Sequence, residues 1–328
     1  MVAPTGVQDT AGEERSPVER ATRRRLYLYL LPLVAAPVLL LAAAVFVVPS
    51  QWFALRSGNT YLVNLAYGAK LQNADCQILV YGDSSAMVAV DPALIRERTG
   101  LSTCNIAEFQ PMTLLNGTMV LDTYLQRNAP PRFLIFLFTP EDLALPSQRY
   151  NGPFEAITYR MRQPHRLESL IALAPQYSSA LFSWAEQGMR FVFDNLLSKP
   201  ASLEVQHLRE SSHGQLRMDA ATRTSCETLR HDAVPDKKWI AGLRSKYGRD
   251  GMTVLVDATP VATCDPSLSF FEQHSPEVID NRLETLPIDA YTIDGRLHVN
   301  AKGSKLISDM LADQIVQQLQ GTAPTGAQ

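Results

Sequence analysis

The chain has 328 residues, 46% of them apolar and 19% charged, and carries a formal net charge of −3. That length suits one large α/β core with an insertion. The charge balance leaves no basic surplus to neutralise phosphates, so nucleic acid is not an expected partner.

Residues 1–22, "MVAPTGVQDTAGEERSPVERAT", are polar, rich in Pro and Gly, and lack an apolar period; a disordered cytosolic tail is expected there. Residues 23–49 read as a transmembrane signal-anchor helix. Their centre, Leu26 to Val48, holds no charged residue, and about 20 apolar residues suffice to cross a ~30 Å hydrocarbon core. Arg20 and Arg23 to Arg25 precede this run while Arg56 alone follows it closely, which predicts a cytosolic N-terminus and a periplasmic or extracellular main domain. The expected location is a single pass through the inner (plasma) membrane. Residues 50–75 read as a connector, with Trp52 and Phe53 as interfacial anchors.

From residue 76 the pattern alternates. Gln77 to Tyr81 is a short apolar strand, and "DPALIRERTG" offers Asp91 as N-cap, Pro92 in the first turn and Gly100 as a stop. Residues 101–107 predict a second strand, 111–128 a helix and 132–138 a third strand that is apolar on both faces. Strands buried on both faces imply a parallel sheet between helices. After an insertion at about 144–236, aromatic in its first part and polar and loop-like over "VQHLRESSHGQLRMDAATRTSCETLRHD", residues 251–261 predict another strand. Residues 301–320 predict a closing amphipathic helix, and 321–328 a disordered tail.

The four cysteines, Cys76, Cys104, Cys226 and Cys264, form no CxxC, and outside the cytosol they can pair. Cys226 with Cys264 is the preferred bridge, because both fall in polar loop sequence while Cys104 falls within a strand; four unpaired thiols are the alternative. No metal site or cofactor is expected: His207, His213 and His231 are irregularly spaced and read as solvated.

The first strand ends in Gly82-Asp83-Ser84-Ser85, where open parallel sheets hold their ligands. Glycine permits a tight turn there, and a serine just beyond it can begin a helix whose free N–H groups favour developing negative charge. By itself, Gly-Asp-Ser is also ordinary turn chemistry. A serine nucleophile needs a base, and an imidazole needs an orienting carboxylate. Of six histidines, His298 alone has a nearby upstream acid, Asp294, and a closing helix just after it.

Together, "ILVYGDSSAMVAVDPALI" and "DGRLHVNAKGSKLISDMLADQI" resemble the first and last blocks of the SGNH (GDSL-type) hydrolases. More particularly, the chain is similar to the membrane-anchored members associated with O-acylation of cell-surface polysaccharides. The resemblance covers roughly 76–143 and 251–320, within an SGNH-like domain expected at 76–320. It implies a three-layer flavodoxin-like α/β fold with a mostly parallel sheet, with Ser84 as nucleophile, His298 as base and Asp294 as its partner. It also implies oxyanion or substrate contacts from Gln110, Thr139 and Asn105.

There are departures from that pattern. Asp294 stands one residue further from His298 than the family's spacing, "NIAEFQPM" lacks the glycine of the second block, and Thr139 replaces an asparagine in the third. The function implied is an esterase or O-acyltransferase, acetyl being the commonest acyl group. Its partners would be a cell-surface glycan or other acylated envelope molecule and a multi-pass membrane-bound O-acyltransferase. The alternative is a catalytically inactive glycan-binding or scaffolding subunit of an envelope-polysaccharide machine.

Overall fold

The computed structural model describes residues 17–56, 59–109, 113, 117–144, 154–162, 168, 186, 188, 202–217, 220–226, 234–248, 251–274, 279–281, 283–293 and 297–321. The chain divides into two compact units, Met1–Phe46 and Val47–Gln328.

In the first unit, helix α1 (Pro17–Val47) carries the uncharged run. Its apolar side chains Leu26, Leu28, Tyr29, Leu31, Leu33 and Val34 are exposed. Among the described residues no helix is long and apolar enough to cross a membrane; the side chains of 37, 38 and 40–45, inside this run, lie outside the described set.

The second unit is α/β, with a central four-stranded parallel sheet in the order β2-β1-β3-β4. The strands are β1 (Ile78–Gly82), β2 (Thr103–Asn105), β3 (Phe133–Phe138) and β4 (Thr253–Ala258). Every residue of β1, β2 and β3 is buried. This is why those segments read as apolar runs instead of alternating patterns. A two-stranded parallel ribbon, β5 (Val261–Ala262) with β6 (Thr285–Leu286), follows.

Helices cover both faces. On one face Ile78, Val80, Ile135, Leu137 and Leu255 share a core with α4 (Ser84–Ala89), α5 (Pro92–Thr99) and the closing α11 (Ala301–Gly321) through Ile95, Ile307, Leu311 and Ile315. On the other, Tyr81 meets Phe136 and Phe138 edge-on, and α9 (Lys237–Tyr247) sets Trp239 and Tyr247 against those phenylalanines. The caps follow the sequence: Asp91 accepts from the Ala93 N–H, and Gly100, at φ 71°, ends α5. In the predicted helix at 111–128, α6 (Met119–Leu125) is described, while residues 110–112 and 114–116 are not.

Three expectations change. The connector at 50–75 belongs to the folded unit as α2 (Gln51–Arg56) and α3 (Thr60–Lys70). Leu62, Val63, Leu65 and Ala66 of α3 are buried, and so is Phe53, at 2% exposure, which leaves Trp52 at 55% as the exposed aromatic. The insertion contains α7 (Phe154–Met161) and α8 (Ser202–Ser211), so its supposed polar loop begins as a helix. Both cysteine pairs are bridged, Cys226 to Cys264 and also Cys76 to Cys104. Cys104 is a strand residue as expected, but β2 lies beside β1, and Cys76, two residues before β1, comes within a Cα–Cα distance of 5.7 Å of it. A further helix, α10 (Leu268–His274), follows the ribbon strand β5.

Both sheet edges are partly covered, which limits a common liability of open sheets. At β4, Asp280 Oδ2 accepts from the Val256 N–H at 2.7 Å, and the Asn281 amide exchanges bonds with Ala258 at 3.0 and 2.9 Å. At β2, the His213 carbonyl accepts from the Asn105 N–H at 3.0 Å. Side chains and an insertion segment thus occupy part of both edges of the four strands seen among the described residues.

Candidate active site

β1 ends at a glycine for steric reasons. A Cβ at Gly82 would lie 1.8 Å from the Leu137 carbonyl oxygen of β3 and 2.9 Å from Ala86. Only glycine lets α4 turn back over the strand ends so closely. The next residue, Asp83, is buried and has extended backbone geometry at the N-cap of α4. Its Oδ1 accepts from the Ser85 N–H at 2.8 Å and the Ser85 hydroxyl at 2.5 Å, and its Oδ2 accepts from the Thr139 N–H at 2.7 Å. One carboxylate thus caps the helix and ties the elbow to the end of β3.

This arrangement separates the two serines. Ser85 is 1% exposed and spent on Asp83, with Thr259 Oγ1 3.4 Å away. Ser84 is the partly exposed residue of the elbow. Its Oγ lies 2.9 Å from His298 Nε2.

His298 reaches this position from a tight return of the chain before α11. Tyr291 and Val299 form an antiparallel bridge, and the His298 carbonyl accepts from the Thr292 N–H at 2.9 Å. Leu297 and Val299 on either side are buried. The Tyr291 hydroxyl donates to the Pro260 carbonyl at 2.9 Å, and Asn300 Oδ1 accepts from the N–H groups of Lys302 and Gly303, starting α11. The imidazole is therefore carried on a segment anchored by apolar residues on both sides. Asp294 lies outside the described residues.

The other expected site residues are distributed differently. Asn105 is fully buried: its Nδ2 donates to the Ala86 carbonyl at 2.9 Å and the Val90 carbonyl at 3.2 Å, and its Oδ1 accepts from the Ala107 N–H at 3.0 Å. Its amide clamps the end of α4. Thr139 gives its N–H to Asp83, while its Oγ1 accepts from the Asp142 N–H at 3.2 Å. It supports the elbow from below. Gln110 lies outside the described residues.

Two buried groups close to the elbow are not apparent from the sequence. Glu108 donates its N–H to the Gly82 carbonyl at 2.9 Å. Its carboxyl is buried and, among the described residues, has no hydrogen-bond partner. Burial pushes its pKa up to about 8, with the nearby Arg209 charge opposing the shift. Arg209 of α8 is 0% exposed. No periodicity marks either residue, because each is buried by parts of the chain remote from it. Asp83 did carry a sequence signal, an acid directly before a short helix.

A serine hydroxyl within hydrogen-bond distance of an imidazole nitrogen is the pairing needed for general-base activation of an oxygen nucleophile. Comparison of the chain with protein-family models, with curated proteins and with solved structures finds no match.

Proposed function

We propose that this chain is a membrane-anchored, extracytoplasmic serine esterase or O-acyltransferase of the SGNH type, acting on an acylated cell-envelope glycan. The observation that carries the reading is the 2.9 Å approach of His298 Nε2 to Ser84 Oγ at the end of β1. The strand order β2-β1-β3-β4 also supports it. That order reverses direction between β1 and β3, where doubly wound flavodoxin-like sheets open their binding crevice. The uncharged run in α1, with arginines before it and exposed apolar side chains along it, supports an anchor. Two disulfides agree with a compartment outside the cytosol.

In the proposed mechanism the Ser84 hydroxyl attacks an ester carbonyl while its proton passes to His298 Nε2. The tetrahedral oxyanion faces the Ser84 N–H, which as the first of a helix has no intrahelical acceptor. Collapse expels the alcohol, which takes the proton from His298, and leaves an acyl-serine. Water or a sugar hydroxyl then attacks the acyl-serine while giving its proton to His298 Nε2. His298 passes that proton to Ser84 Oγ as the acyl–oxygen bond breaks, so that the acid or the new ester leaves and the serine is restored. Acetyl is the proposed acyl group, and a membrane-bound O-acyltransferase the proposed partner.

A second reading is favoured by the commitment of Asn105 and of the Thr139 N–H to internal bonds. It makes the domain a non-catalytic glycan-binding or scaffolding subunit. Incubating the full-length protein in detergent with a fluorophosphonate probe and mapping the adduct separates the two. Modification of Ser84 supports the enzyme; no adduct and no hydrolysis of acetyl esters leaves the binding module.

A further inference from the structure

The loop after β2 holds the place where the resembled family carries an oxyanion glycine, yet its sequence contains none. We propose that Arg209, contributed by the insertion, is a positioning residue that sets the backbone of this loop as it runs past the nucleophile elbow. The inference rests on the reading of Ser84 as nucleophile and adds a role for the insertion in that site.

All three guanidinium nitrogens of Arg209 donate to buried acceptors. Nε bonds the Gly214 carbonyl at 2.8 Å, Nη1 bonds Asn64 Oδ1 at 2.8 Å, and Nη2 bonds the carbonyls of Asn105 at 3.0 Å and Ala107 at 3.2 Å. The Tyr67 ring lies under the group at 4.6 Å. A buried guanidinium is costly unless its donors are satisfied. Here the acceptors are neutral and come from α3, the end of β2, the loop after it and the segment after α8. A group placed at such cost, and bonded mainly to backbone carbonyls, serves to fix that backbone.

The geometry at the loop is specific. A peptide carbonyl and the following N–H point in opposite directions across one rigid plane. The Asn105 carbonyl is held by Arg209, and the Ile106 N–H on the same plane bonds the Val80 carbonyl at 2.9 Å. The Ala107 carbonyl is held by Arg209, and the Glu108 N–H on that plane bonds the Gly82 carbonyl at 2.9 Å. Two alternate peptide planes are thus pinned from both sides, by β1 within the sheet and by one side chain outside it. This carries the course of β2 past its last paired residue to the level of the elbow. The Phe109 N–H leaves from a backbone whose direction Arg209 has set. Gly214 allows the approach: a Cβ there would lie 1.8 Å from the Asn105 carbonyl oxygen, and its φ is 111°.

The test uses full-length protein in detergent, with p-nitrophenyl acetate as substrate and fluorophosphonate titration to count competent Ser84. Arg209→Lys keeps the charge but cannot bridge both carbonyls while holding Asn64 and Gly214. The expected result is a kcat per titrated site at least about tenfold lower with KM within about twofold, the pattern of lost transition-state stabilisation. An unchanged kcat per titrated site overturns the inference. If Arg209→Lys does not fold, Asn64→Ala, which takes the Asn64 Oδ1 acceptor from Nη1 and leaves both loop carbonyls bonded to Nη2, decides instead. A drop in kcat at constant KM supports the inference, and wild-type kcat overturns it. Wild-type protein that neither titrates nor hydrolyses overturns the nucleophile reading, and this inference with it.

Discussion

His298 Nε2 lies 2.9 Å from Ser84 Oγ, although 214 positions separate the two residues along the chain. Ser84 is delivered by the end of β1 and His298 by the return that precedes α11, and α4 and α11 share the core that holds both segments. Ser84→Ala is therefore expected to abolish fluorophosphonate labelling. His298→Ala should slow it by about 10²–10⁴-fold, the usual contribution of a positioned base. Labelling kinetics followed by intact-protein mass check both, and undiminished labelling of Ser84→Ala would refute the assignment.

Asp83 joins the cap of α4 to the end of β3 through two acceptor oxygens. Asp83→Ala removes the cap, worth about 1 kcal/mol, and strands the Thr139 N–H, worth about 1–3 kcal/mol. A loss of about 2–4 kcal/mol and slower labelling of Ser84 are expected. Asp83→Asn keeps one acceptor and should lose less. Thermal unfolding with parallel labelling checks this, and equal stability of Asp83→Ala and wild type would remove the proposed tie.

Burial raises two carboxyl groups, Glu108 to about 8 from 4.5 and Asp257 to about 7 from 3.8. Asp257 faces α11, accepting from Gln314 Nε2 at 3.2 Å. For a raised acid the unfolded chain loses its proton first. The stability these groups contribute is fully present below the unfolded values and is lost as pH rises through the folded ones. Wild-type stability should fall between about pH 5 and 8, by at most about 1.4 kcal/mol per pH unit for each group. Glu108→Gln with Asp257→Asn should flatten the slope whatever their absolute stability. Unfolding free energies from urea titrations at pH 5 and pH 8 test this, and an unchanged slope in the double variant would contradict it.

The disulfides close separations of 28 and 38 residues. By the chain-entropy model each contributes about 3–4 kcal/mol. Mass spectrometry of unreduced, alkylated digests is expected to find Cys76 joined to Cys104 and Cys226 joined to Cys264. Replacing Cys76 and Cys104 by serine should lower the melting temperature and slow Ser84 labelling, since that bridge fixes β2 beside β1. Free thiols at all four positions in protein exported from the cytosol would contradict the pairing.

Much of the sheet is legible in the sequence. The β1, β3 and β4 segments fall within one to three residues of the expected strands, because a strand buried on both faces needs a continuous apolar run whatever surrounds it. The pairing of Gly82-Asp83-Ser84 with a histidine before the last helix is legible for a similar local reason, since each half carries its own turn and cap residues. The status of 50–75 is not. Phe53 reads as an interfacial anchor and the α3 segment as connector until the domain that buries their apolar side chains is present. Cys104 looks unavailable until β2 proves to pair with β1, which brings Cys76 beside it, and Arg209 reads as one more cation in a polar stretch.

The sequence by itself determined where chain direction changes and which residue types stand at those points: an apolar strand, a glycine, an acid, two serines, and a distant histidine. Only the tertiary structure decided how the polar groups are shared. It assigned Ser85 to Asp83 and left Ser84 to His298, spent Asn105 on α4, and set Arg209 against the carbonyls of Asn105 and Ala107. The physical reason is that strand and turn formation follow from near neighbours and burial. A hydrogen bond depends on placing two groups to within tenths of an ångström, and here those groups come from segments that meet only when the layers pack.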